Sequence, residues 1–212
     1  MPFTHTSQLS ENVMLGYWKM TESPDELLRL MHADAFVAKA YEKLLNDKAR
    51  KQWLSARLLL KEMCGDDARI VYDSYGKPHC QGFSGISISH SADYVLLAIN
   101  TLSEIGADIE FISNRIERIT HKFLSAAEEQ LQNQLIDYPA NYFFHLIWSF
   151  KEAAYKLYGK KGLIFKEHIV LKQLDLEHAQ LHGGLLVNGV ARAVKGQFMF
   201  REGYVVCLCY YA

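Results

Sequence analysis

The chain has little of several things, and each shortage removes a class of function. Lysine and arginine (23) do not outnumber aspartate and glutamate (24), and the formal charge is −1 at pH 7. A general nucleic-acid binder needs a basic surface, so no nucleic-acid partner is expected. Cysteine is sparse. Cys64, Cys80, Cys207 and Cys209 form no CxxC pair and no His/Cys cluster that could supply four zinc ligands. Cys207 and Cys209 are two apart in an apolar run, so on a strand they point the same way and are poorly placed to bridge each other. Buried, reduced thiols are expected, which fits a reducing compartment. The longest apolar runs, such as Tyr94 to Ile99 and Tyr204 to Ala212, are too short to cross a bilayer. Met1 to Glu11 is polar and lacks the apolar stretch of a secretory signal. The expectation is a soluble, cytoplasmic monomer with no membrane partner. No Pro-, Gly- or Ser-rich linker is present, so any two lobes must pack tightly together.

What is present is ample material for a core. Half of the 212 residues are hydrophobic and 22% are charged, the balance of a folded globular chain. The pattern is helical from Ser23 to Cys64. Ser23 and Pro24 suit an N-cap and first turn, and acidic Asp25 and Glu26 follow. A second helix is predicted from about Glu42 to Met63, on a stripe that includes Leu44, Leu45, Trp53, Leu54 and Leu58. Strands are then predicted at Ile70 to Tyr72, Ile86 to Ser91, Tyr94 to Asn100 and Ile105 to Phe111, with Ala92 and Asp93 as a tight turn. Ser125 and Glu128 form a capping-box pattern. Asn141 to Gly159 reads as a long helix. The rest is β-rich, with Asn188-Gly189 as a type I′ hairpin turn. The fold class is α+β (α/β), and each half reads as helices followed by β-hairpins. The first forty residues carry no motif that places them.

Four segments carry chemistry. In Ile105-Gly-Ala-Asp-Ile-Glu-Phe111, Asp108 and Glu110 share one strand face while Ala107, Ile109 and Phe111 face the other way. Paired carboxylates repel, and a bound cation relieves that; all-oxygen donors suit magnesium. Alone, the pair is better read as a solvated strand face. In Trp148-Ser-Phe-Lys-Glu-Ala-Ala-Tyr-Lys156, Glu152 and Lys156 share a helix face, which on its own describes an ordinary exposed ion pair. Here the surroundings are unusually apolar, so these charges need partners. Glu152 could complete a metal site, and Lys151 and Lys156 could meet phosphate. In Ser87-Ile-Ser-His-Ser91, hydroxyls and an imidazole at a strand end could bind phosphate, although a lone His90 is more often structural. Tyr75-Gly-Lys-Pro78 is a turn whose Lys77 could reach a phosphate.

In this order, Gly-Lys-Pro, Ser-Ile-Ser-His-Ser, Gly-x-Asp-Ile-Glu and Trp-Ser-x-Lys-Glu-Ala-x-x-Lys, the segments resemble the Sfp-type 4′-phosphopantetheinyl transferases. The resemblance spans roughly Arg57 to Gly162. One departure is Ala107, where the family usually carries Val or Ile; it removes no ligand. The resemblance implies two similar α/β lobes, residues 1–104 and 105–212, with the active site in the cleft between them. It implies that Asp108, Glu110 and Glu152 hold Mg2+. Coenzyme A is the implied co-substrate, contacted by Arg57, Lys77, Ser89, His90, Lys151 and Lys156, with Arg50, Lys160 and Lys161 as weaker candidates. The implied reaction moves the phosphopantetheine arm onto a serine of an acyl or peptidyl carrier protein, with Glu152 or a bound water as base and Lys151 as an aid to the phosphate or leaving group. Region 112–139, with Phe123, Leu124, Leu131, Leu135 and Ile136, could meet the carrier or simply pack into the second lobe. Two other readings stand beside this one: a non-catalytic carrier or coenzyme A binding module, and a magnesium-dependent phosphohydrolase.

Overall fold

The computed structural model describes residues 3–32 and 35–212. The expected helical run from Ser23 to Cys64 therefore includes two residues, 33 and 34, that lie outside the described ones. The first half of the chain contains β1 (Phe3–Ser10), β2 (Val13–Lys19), α1 (Pro24–Leu30), α2 (Ala35–Glu42), α3 (Asp47–Cys64), β3 (Val71–Tyr72), β4 (Pro78–His79), β5 (Gly85–Ser91) and β6 (Tyr94–Asn100). The second half contains β7 (Gly106–Phe111), α4 (Thr120–Phe123), α5 (Ala126–Glu129), α6 (Ala140–Tyr158), α7 (Phe165–His168), β8 (Ile169–Asp175), β9 (Gln180–Val187), β10 (Val190–Arg201) and β11 (Tyr204–Tyr211). Two larger antiparallel sheets result, in the orders β1-β2-β6-β5 and β7-β11-β10-β9-β8, and β3 pairs with β4 in a small third one. The α+β class expected from the sequence is the observed one.

Local chemistry explains the boundaries. Ser23 caps α1 in a capping box with Glu26. The long helix of the first half starts at Asp47 rather than near Glu42. Asn46 is a strong N-cap whose side chain accepts the N–H of Ala49 at 2.9 Å, and it begins a new helix. Leu45, expected on the buried stripe, is 95% exposed in the break before it. Strands β1 and β2 also correct the reading of each half as helices followed by hairpins, because the first sheet gains two strands that precede its helices. In β2, Leu15, Gly16, Tyr17 and Trp18 are all buried, so both faces are covered and no polar alternation betrays the strand. The Asn188-Gly189 turn has positive φ at both positions (50° and 77°), as a type I′ hairpin requires.

Alternation along β6 shows how the layers stack. Val95, Leu97 and Ile99 pack with Trp18, Leu54 and Leu59 beneath α3. Leu96 and Ala98 point the opposite way, into a core shared with Ile105, Ala107, Ile109, Val206 and Leu208 of the second sheet. Cys207 and Cys209 face α6, among Leu146, Phe150 and Ala153. The order of layers is therefore α3, first sheet, second sheet, α6. All four cysteines are free thiols, and Cys80, Cys207 and Cys209 are buried.

Two contacts bring the functional segments together. A Cβ on Gly106 would lie 1.9 Å from the Ala153 carbonyl oxygen and 2.6 Å from the Leu157 nitrogen. Only glycine lets the α6 backbone seat this closely on β7. Beside β7, and running in the same direction, β5 joins it through hydroxyls. Ser87 Oγ accepts the Ala107 N–H at 2.8 Å, and Ser91 Oγ accepts the Phe111 N–H at 3.0 Å.

Candidate active site

Asp108 and Glu110 stand on the α6 side of β7, opposite Cys207 and Val205 of β11. Trp148, Glu152 and Lys156 are spaced four apart on α6, so they form one stripe that lies over them. Lys156 Nζ reaches Asp108 Oδ1 at 2.6 Å and Ser89 Oγ at 2.8 Å. Ser89 donates its hydroxyl to the same Asp108 oxygen at 2.8 Å. Glu110 is held from both sides. Ser91 Oγ donates to Oε2 at 2.9 Å, and the Trp148 indole N–H donates to Oε1 at 3.1 Å.

The charge balance is uneven. Three carboxylates surround one ammonium. Burial first, and the charges of Asp108 and Glu110 after it, push the Glu152 carboxyl up to about 7 against the pull of Lys156. Burial and then Asp108 also raise Glu110, against the bonds from Ser91 and Trp148. Asp108 Oδ2 is buried and has no hydrogen-bond partner among the described residues. An orphaned carboxylate oxygen beside two carboxyls held above their usual range fits a hard divalent cation such as Mg2+. Among the described residues, no three His, Cys, Asp or Glu side chains are already drawn to metal-holding spacing; Lys156 engages the bonded oxygen of Asp108.

Beside the carboxylates lies a cavity of about 600 Å³. Its wall carries Arg57, Lys77, His90, Lys156, Lys160 and Lys161 and, among the described residues, no carboxylate. Trp53, Tyr72 and Tyr75 add aromatic surface. Arg57 is 9% exposed, donates to the Trp53 carbonyl at 3.1 Å, and lies 3.5 Å from the Trp53 ring centroid. Among the described residues it has no carboxylate partner, and burial lowers its pKa. A desolvated guanidinium of this kind is a natural anion anchor.

The expected site residues are thus not all together. Asp108, Glu110, Glu152 and Lys156 converge, and Arg57 and His90 line the adjoining cavity. Ser89, expected at the phosphates, is buried and donates to Asp108 instead. Lys77 lies at the cavity wall, but its amine bonds the Leu157 carbonyl and the Glu104 carboxylate. Lys151 does not reach the cleft. Its side chain is fully buried and donates to Phe123 O (2.6 Å), Glu128 Oε2 (2.8 Å) and Phe165 O (3.1 Å). This corrects the expectation that it meets phosphate. One residue is a turn of about 100° around a helix, enough to aim Lys151 at α5 while Glu152 faces β7. Arg50 pairs with Asp47 and stacks on Tyr41. In region 112–139, Phe123, Leu124 and Leu135 are buried and Leu131 packs partly against their cluster, so these join the core beside α6; Ile136 is 80% exposed.

Residues given no role at the site from sequence include Ser91 and Trp148, which fix Glu110; Glu128, expected only in a capping box with Ser125, forms that box and also pairs with Lys151. The signals were present. Ser87, Ser89 and Ser91 alternate, so three hydroxyls share a strand face, and Trp148 precedes Glu152 by one helical turn.

Comparison with known proteins bears on the family. Residues 104–209 match the family model described as the 4′-phosphopantetheinyl transferase superfamily. The chain is 44% identical over 75 residues to the 4′-phosphopantetheinyl transferase psf-1 of Bacillus pumilus, covering 35% of this chain and 31% of that protein. It is 27% identical over 146 residues to the 4′-phosphopantetheinyl transferase HetI of a Nostoc species, covering 62% of this chain and 61% of that protein. The chain therefore spans less than two thirds of the length of either relative. The matched family segment begins just before β7 and carries β7 and α6, with all three carboxylates, and on that half of its length the chain belongs to the 4′-phosphopantetheinyl transferase superfamily.

Proposed function

We propose that the protein transfers the 4′-phosphopantetheine arm of coenzyme A to a serine of an acyl or peptidyl carrier protein, with Mg2+ as cofactor. The observation that carries this reading is the cavity wall. Four cationic side chains (Arg57, Lys156, Lys160 and Lys161), together with aromatic rings and, among the described residues, no carboxylate, open beside three acidic groups on β7 and α6. A nucleotide carrying a pyrophosphate and a separate phosphate matches that wall in charge and in stacking surface. Arg57, desolvated and without a carboxylate among the described residues, takes the isolated phosphate. His90, Lys156, Lys160 and Lys161 take the pyrophosphate. The two lobes are residues 1–104 and 105–212, and the cavity draws its walls from both.

Asp108, Glu110 and Glu152 would hold Mg2+, whose chemistry is to neutralise charge on pyrophosphate oxygens. The chain supplies the rest. Ser91 and Trp148 fix Glu110, and Ser89 and Lys156 fix Asp108. The carrier serine Oγ attacks the β-phosphorus. The bond from that phosphorus to the bridging oxygen breaks, and adenosine 3′,5′-bisphosphate leaves. Glu152 accepts no hydrogen bond among the described residues and is the group to take the serine proton, directly or through a water. Lysine charge at the cavity offsets what develops on the leaving bisphosphate.

The test is a mass measurement. Apo-carrier protein incubated with coenzyme A and Mg2+ should gain the mass of the phosphopantetheine arm. Glu152→Gln and Asp108→Ala should abolish the gain and leave the circular dichroism spectrum unchanged. No gain across several acyl and peptidyl carriers would overturn the proposal, and full activity in either variant would remove the metal-site assignment.

A further inference from the structure

We infer that Lys77 is a positioning residue, which clasps two segments that line the cavity to each other rather than binding phosphate. The inference rests on the coenzyme A reading only for its effect on binding; the clasp is a property of the free protein.

The loop that carries Lys77 is rigid before the side chain begins. Asp73 Oδ1 accepts the N–H of Tyr75 at 2.8 Å and of Lys77 at 2.9 Å, and the Asp73 N–H donates to the Lys77 carbonyl at 3.0 Å. From this base the lysine crosses to the other half of the chain. Its side chain is 10% exposed, and its ammonium is 3.0 Å from the Leu157 carbonyl and 2.5 Å from Glu104. Leu157 belongs to the last turn of α6, where carbonyls lack helical partners and the helix dipole is negative, so a cation is held there by both effects.

The stem of the lysine is accommodated as deliberately as its head. Gly159 follows α6 in the left-handed region, at φ +70°, and a Cβ there would lie 2.4 Å from Lys77 Cδ. Glycine at this position both ends the helix and leaves a bed for the lysine methylenes. Three segments meet at one amine: the β3–β4 loop, the β6–β7 connection through Glu104, and the end of α6. Two of them line the cavity, one through Tyr75, Gly76 and Pro78 and the other through Lys156, Lys160 and Lys161. To seize a phosphate, the amine would have to leave an ion pair and a helix end. Held where it is, it fixes these two lining segments to each other.

Glu104 separates the two roles. Glu104→Gln breaks the ion pair while making the cavity more positive. A clasp predicts weaker coenzyme A binding in both Lys77→Met and Glu104→Gln, each by roughly fivefold in Kd. The double variant should be no worse than Lys77→Met, because the two act as one unit. The loss should appear in KM for coenzyme A, with kcat little changed. Isothermal titration with coenzyme A reads the affinity. Hydrogen exchange in the ligand-free protein reads the clasp itself, and the amides of Lys77 and Gly159 should exchange faster in both single variants. Coenzyme A binding that is unchanged or tighter in Glu104→Gln, with Lys77→Met weakened, would make Lys77 a phosphate ligand and overturn the inference. Unchanged exchange at both amides would overturn it as well. A wild-type protein without affinity for coenzyme A would instead sink the proposed ligand, and the exchange result would still decide the clasp.

Discussion

Replacing Lys151 by methionine should damage the fold far more than the chemistry. Both Lys151 and its partner Glu128 have side chains with 0% exposure, 2.8 Å apart. The amine satisfies two further carbonyls, of Phe123 and Phe165. Glu128 also accepts the Leu171 N–H at 2.9 Å and closes the capping box with Ser125. One amine thus ties α4, α5, the start of α7 and, through Glu128, β8 to the middle of α6. Removing it leaves a carboxylate and two carbonyls in a dry site. Breaking a buried pair on one side costs about 3–5 kcal/mol. For a chain of this size, each kcal/mol lowers Tm by about 2–4 °C, so a fall of roughly 10 °C is expected. Thermal unfolding followed by circular dichroism measures it. Lys151→Met/Glu128→Gln should lose clearly less than the sum of the two single variants. Activity per folded molecule, assayed well below the lowered Tm, should survive. An unchanged Tm together with lost coenzyme A binding would refute the structural role and return Lys151 to the phosphates.

Other outcomes follow from the same contacts. Gly106→Ala should prevent α6 from seating on β7, since its Cβ would meet the Ala153 carbonyl at 1.9 Å; the expected result is a protein recovered unfolded or aggregated, checked by solubility and circular dichroism. His145 accepts the Ser113 N–H at 3.0 Å, and burial lowers its pKa. The unfolded state then binds more protons between the two pKa values. The associated stability is complete above the unfolded value of about 6.5 and is lost as pH falls through the lowered folded value. The drop in Tm from about pH 7 to about pH 5 should shrink in His145→Asn. The Cys64 thiol is pushed up to about 11, by burial first and by Cys80 second. Alkylation near pH 8 should be on the order of a hundredfold slower than that of a free thiol, as mass spectrometry of the labelled protein would read.

Much of the site was legible because two periodicities are unambiguous. Alternation put Asp108 and Glu110 on one strand face, and four-residue spacing put Glu152 and Lys156 on one helix face. Their meeting depends on the missing Cβ of Gly106, a close approach that no pattern of side chains announces. Lys151 was misread because a lysine in an apolar helix can be buried with a partner or can snorkel to a cleft, and its partner Glu128 lies 23 residues earlier. The partners of Lys77 were hidden for a related reason: its counter-charge and its helix end lie 27 and 80 residues away. Strand β2 was missed because it is buried on both faces. The hairpins of the second half were legible, since Asn188-Gly189 fixes a turn and β9 and β10 follow from it.

The hydroxyl seam between β5 and β7 has a consequence for association. Each of the two larger sheets has two border strands, β1 and β5 in one and β7 and β8 in the other. A border strand offers unpaired N–H and C=O groups to any passing chain. Ser87 and Ser91 occupy the N–H groups of Ala107 and Phe111, so two of the four borders cover each other. The outer two, β1 and β8, each carry an irregular register, between Gln8 and Ser10 and between Leu171 and Gln173. Bulges of this kind twist a border away from flat pairing. The pairing that completes the carboxylate site therefore also covers two of the four borders that the two larger sheets would offer to another copy.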